Sequence, residues 1–130
     1  IISKHELNED SAGIRDFFPL AIQLYKVANK NKVVFVDEMD RSLNPVLSDK
    51  IIAFINGSEH AGQFIFTTHN VFHLDLNIYM KEQIYFVTKN LSDLISEMYS
   101  LADFPDITYN ENEPLYNFYL RGILGGTTFD

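Results

Sequence analysis

Two adjacent carboxylates, Asp37 and Glu38, close the apolar run Val33-Val34-Phe35-Val36. In such a pair one carboxylate can hold a divalent cation on a nucleotide while its neighbour orients or deprotonates water. A histidine, His69, follows a second apolar run, Gln63-Phe64-Ile65-Phe66, after two threonines. Upstream, Asp10-Ser11-Ala12-Gly13 opens a helical pattern. Free amide groups and the helix dipole at such a start favour an anionic oxygen, and Ser11 adds a hydroxyl donor. Singly, each feature has a structural explanation: a core strand ending in Asp, a capped helix, a surface histidine. Their order along one chain is what points to phosphate chemistry.

The elements around these residues must bring them to one place. Residues 14–29 carry apolar side chains at helical spacing (Ile14, Phe17, Phe18, Ala21, Leu24, Tyr25, Ala28), with Pro19 expected to kink the helix or mark its first turn. The run 33–37 does not alternate and is rich in β-branched and aromatic residues, so it reads as a strand buried on both faces. Pro45 opens a second helix over 46–56, built on Val46, Leu47, Ile51, Ile52 and Phe54, and Gly57 closes it. A second core strand follows at 63–67. Strand, helix and strand in so short a span predict a parallel crossover, which puts Asp37, Glu38 and His69 at the same carboxyl edge. A third strand is expected at 83–88 and a weaker one within 93–101. Residues 105–114 read as a loop and 115–121 as a short helix.

Two rival chemistries fit less well. His69 and His73 stand four residues apart, as in zinc sites, but a zinc protease needs Glu at position 70, where Asn stands. A metal-dependent nuclease of the Toprim kind needs an Asp-x-Asp pair that Asp37-Glu38-Met39-Asp40 does not supply. His5 and His60 have no companions in the sequence and are expected at the surface.

The 130 residues suit a single domain, and a hydrophobic fraction of 46% supports a packed core. The net charge of −8, from 10 basic against 18 acidic residues, argues against a phosphate-backbone binding surface on this segment. Contact with DNA or an effector protein would need residues outside it. There is no cysteine, hence no disulfide and no thiolate metal site. No apolar run approaches the roughly 20 residues that span a bilayer, so a cytoplasmic protein without membrane contact is expected.

Taken together, the motifs resemble the C-terminal half of an ABC-type ATPase head, in the branch of chromosome-maintenance, repair and phage-defence ATPases. Asp10-Ser11-Ala12-Gly13 looks like the signature motif, and Val33 to Glu38 looks like Walker B with its catalytic glutamate. Asp40 to Pro45 looks like the D-loop, and Thr67-Thr68-His69 like the switch histidine. Tyr99 to Phe104 and the ending Tyr119 to Gly126 are similar to the tail of prokaryotic stand-alone ATPases of the overcoming-lysogenisation-defect and abortive-infection group, although Leu124 stands where an aromatic is usual.

The resemblance implies an α/β, three-layer P-loop-NTPase-like domain with a mostly parallel sheet, residues 1–130 forming its C-terminal lobe. It implies ATP and Mg²⁺ as ligands, with Asp37 on the metal, Glu38 polarising water and His69 sensing the γ-phosphate. Ser11 and Gly13 would donate to a γ-phosphate held by another subunit, because two heads of this family sandwich two nucleotides in a homodimer. No Gly-x-x-x-x-Gly-Lys-Ser/Thr loop is present, and none of the 6 glycines precedes a lysine. In the family that loop lies upstream, and with a start at Ile1 rather than methionine the chain reads as part of a longer protein whose N-terminal lobe is its first partner. The segment alone is therefore expected to hydrolyse ATP negligibly. A non-catalytic interaction lobe is the alternative, since 7 Tyr and 11 Phe leave room for an exposed apolar face.

Overall fold

The computed structural model describes residues 12–41, 43, 45–57, 59–90, 92–107 and 112–126. The chain divides into two compact units, residues 1–70 and 71–130.

In the first unit, α1 (Ala12–Lys30) buries Leu20, Leu24 and Val27, which fall on one helical face. Pro19 lies well inside α1 rather than in its first turn, and the helix continues through it at the cost of one backbone hydrogen bond. Phe18 and Tyr25, part of the apolar helical pattern, join Ile22 in a second stripe that remains about half exposed. The apolar band of α1 is wider than its neighbours in this unit can cover. Lys30 suits the negative end of the helix, and Asn31 turns the chain with a φ of 50°, a conformation Asn tolerates.

β1 (Val33–Val36) and β2 (Gln63–Phe66) pair in parallel, with Val33 opposite Gln63 and Val36 opposite Phe66. α2 (Pro45–Gly57) is the crossover between them and buries Ser48, Ile51 and Ile52, while Val46 and Phe54 stay exposed. Leu24 and Tyr25 of α1 and Leu47 and Ile51 of α2 line a shared apolar groove. Gly62 starts β2 where no side chain fits, because an added Cβ would meet the Val27 and Lys32 carbonyl oxygens, the latter at 2.9 Å. His60 is not a bare surface residue. Its ring nitrogens face the Gly62 oxygen at 3.0 Å and the Ile55 oxygen at 3.1 Å, joining the end of α2 to the start of β2.

β1 is not buried on both faces. Val34 and Val36 are half-buried, whereas Val33 is 56% and Phe35 75% exposed, with Ile65 of β2 exposed beside them. Among the described residues of this unit no element packs over Val33 and Phe35 on this second face. Parallel strands are ordinarily enclosed on both sides, which is why the apolar run reads as a buried strand in the sequence.

The second unit holds β3 (Tyr85–Lys89) and β4 (Ser96–Ser100), paired antiparallel, and a short α3 (Leu115–Leu120). The parallel crossover predicted over β1, α2 and β2 forms, but the three-layer domain with one mostly parallel sheet does not appear among the described residues: β3 and β4 form a separate antiparallel sheet of two strands. The connection from 90 to 95 is too short for a parallel crossover, which needs a dozen or more residues, so it can only turn back as a hairpin. Leu94 takes a φ of 61° in that turn. The core of this unit is Ile84, Phe86, Leu101, Ile107, Leu115 and Leu124. Phe86 stacks on Tyr119 with ring centroids 6.0 Å apart and lies 5.6 Å from Tyr99. α3 ends in a Schellman turn: the Gly122 amide donates to the Tyr119 oxygen and the Ile123 amide to the Phe118 oxygen, with Gly122 at φ 73°.

Candidate functional site

β1 and β2 end together, and the chain beyond each strand stays hydrogen-bonded to the other. The Thr67 amide donates to the Val36 oxygen at 3.0 Å, and the Met39 amide donates to the Thr67 oxygen at 3.0 Å. Residues 37–40 form a turn, closed by the Arg41 amide donating to the Glu38 oxygen. Met39, only 4% exposed, anchors that turn in the unit's interior and leaves Asp37 and Glu38 at its rim.

Glu38 has a φ of 48°, in the left-handed region that non-glycine residues seldom occupy. Holding it there costs on the order of 1 kcal/mol. Hydrogen bonds on both sides offset that cost: the Glu38 amide donates to Thr67 Oγ1 at 2.8 Å, and its carbonyl accepts from Arg41. Thr67 Oγ1 in turn donates to Asp37 Oδ1 at 2.5 Å.

The Glu38 carboxylate is flanked by two cationic or potentially cationic groups. His69 Nε2 lies 3.8 Å from Oε1, and Arg41 Nη1 lies 3.5 Å from Oε2. Their side chains are 85% and 80% exposed, so these contacts add little to stability and leave the groups accessible. Among the described residues Asp40 Oδ1 is buried with no hydrogen-bond partner, which sets it apart from the groups at the rim.

Of the residues singled out from the sequence, Asp37, Glu38 and His69 lie at one carboxyl edge. Ser11 lies outside the described residues. Gly13 is in the first turn of α1, where its backbone is described. The zinc-like spacing does not form a helical pair: His69 is in irregular backbone and exposed, while His73 ends a separate 3₁₀ turn and is buried. Among the described residues no group of three His, Asp or Glu is arranged to hold a metal ion. Two contributors, Thr67 and Arg41, fall within the motifs read from the sequence but have no individual role assigned there. Arg41 follows Glu38 by three, a spacing visible in the sequence, whereas Thr67 comes opposite Asp37 only when the observed β1–β2 register is extended by one residue.

Comparison with known proteins gives one family. Residues 2–75 match the family model described as "AAA domain, putative AbiEii toxin, Type IV TA system". No curated protein and no solved structure matches the chain. No helix among the described residues is long and apolar enough to cross a membrane.

Proposed function

The chain belongs to that AAA domain family, a class of P-loop ATPases, and on this premise we propose that it contributes the water-activating and phosphate-sensing side of an ATP-hydrolysing site. The match spans 74 of the 130 residues, counted from 2 to 75, and includes both carboxylates and His69. Glu38 orients and polarises the attacking water, and His69 contacts the γ-phosphate. The observation that carries this reading is the meeting of Glu38 and His69 at the ends of adjacent parallel strands, beside Asp37. Phosphoryl transfer relies on such positioning and electrostatics rather than on covalent chemistry by the protein.

The donor chemistry at Asp37 fits Mg²⁺. Asp37 is an exposed, hard oxygen ligand, and Mg²⁺ on a nucleotide takes only one or two carboxylates, its other ligands being phosphate and water. Bound there, the ion would neutralise charge on the phosphates.

The finer reading is an ABC-type head. Ser11 and Gly13 donate to a nucleotide on a second copy, and the working output is ATP-driven dimerisation, with DNA processing or phage defence as the process served. The phosphate-cradling loop comes from an N-terminal lobe of the same protein. The uncovered face formed by Val33, Phe35 and Ile65 supports a covering partner of that kind. The same face also favours the alternative, an interaction lobe without turnover. ATP hydrolysis by the native protein separates the two. The ATPase reading requires Glu38→Gln to abolish it, whereas a binding lobe keeps its partner affinity and biological effect unchanged in that variant.

A further inference from the structure

We infer that Thr67 is a positioning residue whose hydroxyl ties the Asp37 carboxylate to the Glu38 backbone, so that the two acidic groups are held as one unit. Its consequence for turnover rests on the ATPase reading above. Two of the bonds between Thr67 and residues 36–39 use its main chain, to Val36 and Met39, and any non-proline residue could make them. The other two need the hydroxyl. Oγ1 accepts from the Glu38 amide at 2.8 Å and lies 2.5 Å from Asp37 Oδ1.

The direction of these bonds is forced. An amide can only donate, so the single hydroxyl proton points to Asp37, whose ionised carboxylate can only accept. One proton and one lone pair of Oγ1 are thereby committed, and Asp37 keeps Oδ2 for an incoming cation. The same oxygen pins the amide of a residue in a strained left-handed conformation, and that conformation sets where the Glu38 side chain leaves the backbone. Threonine suits the task better than serine, because its second Cβ substituent restricts χ1. Thr67 itself is exposed, so its hydroxyl is not there to fill the core.

The test compares Thr67→Val, which keeps the shape and removes the hydroxyl, with Thr67→Ser, which keeps the hydroxyl. Amide exchange and steady-state ATP hydrolysis are measured on the native protein, with Glu38→Gln as the control. In Thr67→Val the Glu38 amide should exchange about tenfold faster or more, while the Met39 amide, bonded to the main chain of residue 67, keeps its rate. The same variant should lose about 10- to 100-fold in kcat with KM for Mg-ATP within about twofold, and Thr67→Ser should recover most of both. An unchanged Glu38 exchange rate overturns the proposal. So does a normal kcat for Thr67→Val in a protein that Glu38→Gln inactivates, or a loss that serine does not restore. Equal turnover by the wild type and Glu38→Gln would instead overturn the ATPase reading, and the exchange rates would still decide whether the hydroxyl holds Glu38.

Discussion

His69 Nε2 stands 3.8 Å from Glu38 Oε1, the two side chains meeting where β1 and β2 both end. The separation is longer than a hydrogen bond, so each group keeps its polar atoms available to an incoming molecule. A histidine and a carboxylate so placed can face the terminal phosphate and the attacking water from adjacent strands. Glu38→Gln in the native protein should lower kcat for ATP at least about 100-fold while retaining nucleotide binding, and His69→Ala should lower it about 10-fold or more. Phosphate-release kinetics with parallel equilibrium binding would measure both.

Residues 1–130 on their own should not saturate with Mg-ATP below about 1 mM, a limit of only about 4 kcal/mol of binding. The sequence contains no glycine-rich phosphate loop, and Asp37 with His69 offers a nucleotide few contacts. Isothermal titration of this segment would check it, and tight binding would contradict the division of labour proposed above.

Arg41 also touches Glu38, but at 3.5 Å and with 80% of its side chain exposed. Arg41→Ala should therefore shift unfolding free energy by no more than about 0.5 kcal/mol. A urea titration at two salt concentrations would read it, and a larger loss would mean that the pair is sheltered in solution.

Tyr99 donates to the Leu124 oxygen at 2.7 Å. Its phenol is raised above the usual 10.0, first by burial and then by Tyr119 and Glu97. The folded state thus holds the phenolic proton more tightly than the unfolded chain. The resulting stability is fully present below a pH of about 10 and is lost as pH rises through the folded value. Tyr99→Phe should cost about 1 kcal/mol at neutral pH and flatten the loss of stability on the alkaline side. Denaturation midpoints from about pH 8 to pH 11 would show both effects.

Two glycines should respond to alanine in opposite directions. Gly125 has a φ of 69°, and a Cβ there would strike the Tyr99 hydroxyl, so Gly125→Ala should destabilise by more than about 1 kcal/mol. Gly57, at the end of α2, has open space around the same position and no positive φ, so Gly57→Ala should be neutral or gain up to about 1 kcal/mol. Thermal unfolding of the two variants side by side would test the contrast.

Local patterns in the sequence carried much of this chain. The helical spacing over 14–29, Pro45 and Gly57 around α2, and the apolar runs before Asp37 and Thr67 located four elements to within a few residues. The crossover they imply put both carboxylates and His69 at one edge, because a connection long enough to hold a helix allows the two strands to run parallel, as β1 and β2 do. Burial was harder to read. Phe35 and Val33 look like core residues in sequence, yet apolar character records what a side chain prefers and not whether a neighbour is present to cover it.

Tertiary structure decided the rest. Periodicity describes one strand at a time, and whether β3 joined β1 and β2 or folded back on β4 depended on the short turn and on cross-strand packing around Phe86 and Tyr99. The Thr67 hydroxyl acquired its two partners only once the β1–β2 register brought residues 29 and 30 apart in sequence within hydrogen-bond reach. Residue types are local and visible in a sequence. The contacts that join an ordinary threonine hydroxyl to the Asp37 carboxylate and the Glu38 amide are long-range, and only the folded chain brings them about.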